Sequence, residues 1–125
     1  MSDQTSTSST VAAINRFSDV FNRRDVDGIM AAMTDDCIFE STYPPPDGAR
    51  HVGQDAVRRV WQELFNSSPD VTFEAEDMFA VGDRCTVRWL MRYTGRAGSA
   101  QHLRGVDVFR VRDGKVAEKL SYVKG

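Results

Sequence analysis

The spacing of apolar positions changes about halfway along this chain. From Val11 to Asn22, Ile14, Phe17 and Phe21 recur at helical spacing, which predicts a helix with one apolar face. Asp25 is suited to cap a second short helix, Val26 to Met33, with Ile29, Met30 and Met33 inward. Thr34-Asp35-Asp36 is expected to end it, and Cys37 to Ser41 reads as a strand. Pro44-Pro45-Pro46 predicts a stiff extended loop, since proline fixes φ and removes a donor. His51-Val52-Gly53 leads into a third helix, Gln54 to Phe65, with Val57, Val60, Trp61 and Leu64 on one face. From Val71 onward the period is two. Val71 to Val81 alternates imperfectly, and Gly82-Asp83 turns the chain. Arg84 to Thr94 then puts Cys85, Val87, Trp89, Met91 and Tyr93 on one face, with Arg88, Leu90 and Arg92 on the other. Leu103 to Lys124 is two β runs joined at Asp113-Gly114, a dipeptide that suits the positive φ angles of a tight hairpin.

Helices followed by a meander predict an α+β fold. The expected form is a cone-shaped half-barrel, with three N-terminal helices packed on a curved, mostly antiparallel β-sheet. A pocket is expected at its wide end, lined by inward strand residues. Residues 1–10 read as a disordered polar lead-in with Ser9 or Thr10 as a cap, and 11–125 as one domain.

Composition narrows the function. A net charge of −2, with scattered arginines, gives no basis for binding nucleic acid or an anionic membrane surface. No stretch reaches the ~20 apolar residues of a membrane span. The N-terminus lacks the basic start and apolar core of a signal peptide, so a cytoplasmic setting is expected. Cys37 and Cys85 lie in apolar runs and read as small buried hydrophobes. No metal-ligand spacing or phosphate loop appears, and no cofactor is expected.

The chemistry centres on Asp107, between Val106 and Val108, with Gly105 and Phe109 on its own face. A carboxylate on an apolar strand face is paired, exposed or kept for chemistry. In an apolar pocket the neutral acid is favoured and can donate a proton near neutral pH. Lys119 shares a face with Ala117, Ser121 and Val123. That face turned inward would let Lys119 pair with Asp107, bind an acidic group of a ligand or act as an amine nucleophile. The alternation of Val116, Leu120 and Tyr122 supports the opposite orientation, with Lys119 in solvent. His51 has the near-neutral titration a general base needs, although a loop histidine is more often simply solvated. His102 falls on the face opposite Asp107 if the strand is regular.

Three motifs carry a family resemblance. They are MTDDCIFES after the helix pair, G-x-D-A-V-x-x-x-W from Gly53 to Trp61, and the ending GVDVFRVRDGKVAEKLSYV. In order and spacing the chain resembles the nuclear transport factor 2-like superfamily, in its SnoaL-like and ketosteroid-isomerase-like branch. The resemblance covers Val11 to Lys124. It implies that Asp107 stands where ketosteroid isomerases place an oxyanion-hole aspartic acid, and near the acid/base aspartate of polyketide cyclases. Phe17 stands where the isomerase has a tyrosine, and Ser41 where it has its base, which argues against steroid isomerisation. Ser121 stands where related epoxide hydrolases have an aspartate, which argues against epoxide opening.

The implied function is binding of a small apolar carbonyl compound with proton transfer, as in isomerisation, cyclisation or dehydration. Asp107, Ser41 and His51 are the expected catalytic residues. Phe17, Phe39, Tyr43, Trp89, Met91, Tyr93, Lys119 and Ser121 are the expected substrate contacts. Tyr43 and Tyr93 are also donors that could replace the helix tyrosine. The resemblance further implies a homodimer through the convex sheet face that carries Arg88 and Arg92. The alternative is a non-catalytic dimeric module that binds a ligand or partner.

Overall fold

The computed structural model describes residues 3–125. Three helices, α1 (Asp3–Asn22), α2 (Val26–Ala31) and α3 (Gln54–Ser67), pack on one six-stranded sheet. Its strands are β1 (Met33–Glu40), β2 (Arg50–Val52), β3 (Thr72–Val81), β4 (Arg84–Thr94), β5 (Ala100–Arg112) and β6 (Lys115–Val123). The spatial order is β2-β1-β6-β5-β4-β3, and only the β1–β6 pair is parallel. The expected α+β half-barrel is therefore the architecture observed.

The helices seat their apolar faces on the concave side of the sheet. Ile14, Phe17 and Phe21 of α1 are buried, as are Val57 and Trp61 of α3. Phe21 is the hub of this layer, with ring contacts to Phe17, Trp61, Phe65 and Phe73 at 5.1–5.7 Å. The contacts to Trp61, Phe65 and Phe73 are edge-on, and such pairs add about 0.5–1.5 kcal/mol each beyond area burial. Asp25 caps α2 as expected, its carboxylate accepting from Gly28 N at 2.9 Å.

Several boundaries differ from the sequence reading. Helix α1 begins at Asp3 and so includes most of the lead-in expected to be disordered. Its polar side chains find partners there: Thr10 donates to Gly82 O at 2.6 Å, and Thr7 accepts from Gly82 N at 2.9 Å. Thr10 is thus a mid-helix clamp on the β3–β4 turn rather than a cap. Helix α2 stops at Ala31, and Met33 to Asp36 belong to β1 instead of a break. Strand β2 was not expected; it pairs Phe39 with His51. The proline run turns instead of extending, with Gly48 N donating to Pro44 O at 2.7 Å. Gly48 has φ +73°, and a Cβ there would stand 1.7 Å from Ser41 O, so only glycine fits.

Two irregularities set which side chains face inward. A register shift between Ala75 and Asp77 sets Glu76 aside and explains the imperfect alternation of β3. A second shift between Arg110 and Val111 lets Val116 and Ala117 both be buried, and leaves Lys119 opposite Phe109. The hairpin between β5 and β6 turns at Asp113 and Gly114, with φ of 54° and 74°, as their sequence predicts.

Cys37 and Cys85 are unpaired and buried. Burial pushes the Cys85 thiol from its ordinary 9.0 up to about 11. The unfolded thiol therefore loses its proton first as pH rises. This contribution to stability is complete below pH 9.0 and declines as the pH climbs through about 11. Melting temperature followed over that range should fall less steeply in Cys85→Ala than in the wild type. Equal alkaline slopes would refute this assignment.

Candidate active site

Strand register builds the site. Asp107 on β5 lies opposite Val87 of β4 and Ser121 of β6. One step along, Lys119 lies opposite Phe109 on one side and Phe39 on the other. One step the other way, Gly105 lies opposite Trp89. Residues paired in this way share a face, so these side chains all stand on the concave surface under the helices.

Asp107 and Lys119 form a buried ion pair. Lys119 Nζ is 3.2 Å from Asp107 Oδ2, and the two side chains are only 8–9% exposed. Ser121 completes the group. Lys119 Nζ donates to Ser121 Oγ at 3.0 Å, and Ser121 Oγ donates to Asp107 Oδ1 at 2.6 Å. Aromatic faces supply the rest of the ammonium's surroundings: the Phe39 ring centroid is 4.7 Å away and that of Trp61 5.6 Å. Both carboxylate oxygens and the ammonium are thus compensated, which burial requires.

The pair closes one end of a cavity of about 240 Å³. Phe17 and Phe21 roof it from α1, and Phe73 closes it from β3. Val87 and Trp89 of β4 and Phe109 of β5 form apolar walls around Asp107 and Lys119. The lining is therefore mainly aromatic, with Asp107 and Lys119 as its buried polar pair and Ser18, Asn22 and the exposed Glu74 as its other polar residues. Among the described residues, no cluster of three or more His, Cys, Asp or Glu is placed to hold a metal ion.

The sequence pattern of the SnoaL-like domain matches residues 14–119. The chain belongs to the SnoaL-like family. No curated protein matches it. Among solved structures, it is similar to an NTF2-like protein of unknown function from Mesorhizobium loti. The two are 38% identical with a TM-score of 0.78, over 95% of this chain and 93% of that one. A candidate polyketide cyclase from Xanthomonas campestris shares the fold at 21% identity and a TM-score of 0.78, over 95% and 93% of the two chains. So does TerC, co-crystallised with polyporic acid, at 20% identity and a TM-score of 0.80, over 93% and 92%.

In this SnoaL-like protein, Phe17, Trp89, Asp107 and Lys119 of the expected residues meet at the cavity. Ser121 stands directly behind them, and Phe39 lies beneath the ammonium. The others are elsewhere. Ser41 serves its own loop, donating to Tyr43 O and Ala49 O and accepting from Ala49 N. His51 stacks on Phe39 at 6.0 Å without lining the cavity. Tyr43 is 78% exposed. Tyr93 lines a separate surface cleft with Asp70 and His102. Met91 pairs with Phe73 and Leu103, beyond the cavity. Neither tyrosine therefore takes the place of the missing helix donor.

Phe21, Phe73, Val87 and Phe109 line the cavity, with Ser18, Asn22, Glu74 and Ala75, and none of them is among the expected contacts. Phe109 and Val87 were available by period two from Asp107 and Trp89. Phe73 was concealed by the shift in β3.

Removing one member of a buried pair strands the other. Lys119→Met should cost about 3–5 kcal/mol in urea unfolding. Combining it with Asp107→Asn should cost clearly less than the sum of the two single changes. Additive losses would show that the two charges do not depend on each other.

Proposed function

We propose that this protein binds a small, neutral, mostly apolar carbonyl compound and transfers protons on it. The observation that carries this reading is the buried ion pair in a mainly aromatic cavity. The pair has no net charge, so it suits a polar but uncharged group. Asp107, oriented by Ser121, takes a proton from the carbon beside the carbonyl. The electron pair of that C–H bond moves onto the carbonyl oxygen, and Lys119 donates a hydrogen bond to the developing oxyanion. Returning the proton to a different carbon completes an isomerisation; loss or capture of a group at that carbon gives dehydration or cyclisation. The small-molecule complex of TerC and the candidate cyclase from Xanthomonas campestris support this class of ligand. The buried, unpaired cysteines fit a reducing, cytoplasmic setting.

A second reading, a non-catalytic binding module, draws support from Ser41, His51 and Tyr43. These expected helpers lie away from the cavity and leave Asp107 and Lys119 to act alone. A panel of aryl ketones and enones in deuterated water separates the two. The wild type should accelerate exchange of the α-hydrogens. Asp107→Asn should lose at least about 100-fold of that rate while still shifting the amide resonances of cavity residues on ketone addition. Binding without exchange in the wild type would leave the module reading standing.

We also assign the convex sheet face to a homodimer. Phe79 and Tyr122 are 62% and 55% exposed there, next to the Arg104–Glu76 ion pair. Outward aromatics of this size mark contact surfaces. Phe79→Glu with Tyr122→Glu should convert a dimer into a monomer in sedimentation velocity without lowering the melting temperature of the monomer. An unchanged sedimentation coefficient would remove this face from the contact.

A further inference from the structure

The Asp107 cavity has a buried end and an open side. Asp107 and Lys119 are buried, whereas Asn22, Glu74 and Ala75 are exposed and Ser18 and Phe73 are half-buried. The opening to solvent therefore lies between α1 and β3. Most polar groups along the cavity are already engaged. Asp107 and Lys119 hold each other and Ser121. Asn22 uses both ends of its amide on β3, donating to Phe73 O at 3.0 Å and accepting from Phe73 N at 2.9 Å. Glu74 lies opposite Leu90, one step off the Trp89 face, and its charge acts on Arg104. Ser18 differs from all of these. It stands one turn before Asn22 on the same side of α1, and its hydroxyl has no partner among the described residues.

We infer that Ser18 is a specificity-determining contact for a second oxygen of the ligand, so the preferred substrate is a single-ring aryl ketone with a hydroxyl remote from its carbonyl. This rests on the proposed carbonyl ligand. Strand β5 carries Asp107 and β3 bounds the open side, with β4 between them. The buried pair and the opening are thus two strand spacings apart, about 10 Å. A ring with an oxygen at each end bridges a gap of that order once a hydrogen bond is added at both ends. The ring lies along Phe17, Val87 and Trp89, which line the stretch between. A serine hydroxyl both donates and accepts, so it holds a phenol in either sense and adds no charge at the opening. Ser18 touches no reacting atom. It fixes which end of the ring stays at the opening, and so which end reaches Asp107.

The test is a pair of ketones that differ by one hydroxyl, acetophenone and 4-hydroxyacetophenone. They are titrated by amide chemical shifts in slightly acidic buffer, where the phenol is neutral. The wild type should bind the hydroxy ketone about fivefold more tightly, the worth of one hydrogen bond. Ser18→Ala, which favours the helix and should fold, should bring that ratio close to one and leave the affinity for acetophenone unchanged. Ser18→Thr keeps a hydroxyl and should retain the preference. A preference that survives Ser18→Ala, or one equal in the alanine and threonine variants, overturns the Ser18 contact. With acetophenone still perturbing residues around Asp107, that result leaves the proposed ligand class intact. No binding of either ketone to the wild type overturns both.

Discussion

Asp107 and Lys119 each need the other. A lone carboxylate or ammonium under this helix layer would face aromatic rings and no water, a cost of several kcal/mol per ion. Together, with Ser121 bridging them, they are tolerated. The pair also makes a demand on the rest of the fold. It needs a sheet that brings β5 and β6 side by side in one register, and it needs Phe39 and Trp61 to close over the ammonium. The cavity is the space that this demand leaves between the pair and α1.

This arrangement divides labour among the strands. The strand β5 supplies the acid, β6 the cation and its hydroxyl bridge, and β4 the walls that a ligand would meet. The helices bring no charged side chain to the cavity and serve to exclude water, which strengthens every polar interaction inside. A site of this kind can change its ligand through β4 without disturbing its chemistry on β5 and β6.

Much of this was legible in the sequence. Helical spacing in Ile14, Phe17 and Phe21, strict alternation in β4 and the Asp113-Gly114 turn gave the α+β layout and put Asp107 on an inward face. The orientation of Lys119 was not decidable from alternation. Counting by two from the buried Val116 points Leu120 inward, and only the extra residue in the β6 pairing turns Lys119 in its place. The same physics obscured Phe73. Ser41, Tyr43 and His51 were read by position along the chain, but the proline loop bends back on itself and Ser41 is taken up in closing it. Backbone demands in a loop compete for the same hydroxyl that a site would use, and period counting does not register that competition.

The parallel pairing of β1 with β6 has a kinetic consequence. Phe39 and Lys119 lie side by side yet about 80 positions apart in sequence, so the seam between them closes the longest loop in the sheet. Hairpins β3–β4, β4–β5 and β5–β6 need only local closure and can form early. The docking of β1 must wait for β6, and β2 reaches the sheet only through β1. Until that seam closes, Lys119 lacks the Phe39 ring and one flank of its strand is unpaired. The contact that protects the buried ammonium is thus also the least local in the sheet, and contacts of that kind carry the largest loop-closure cost.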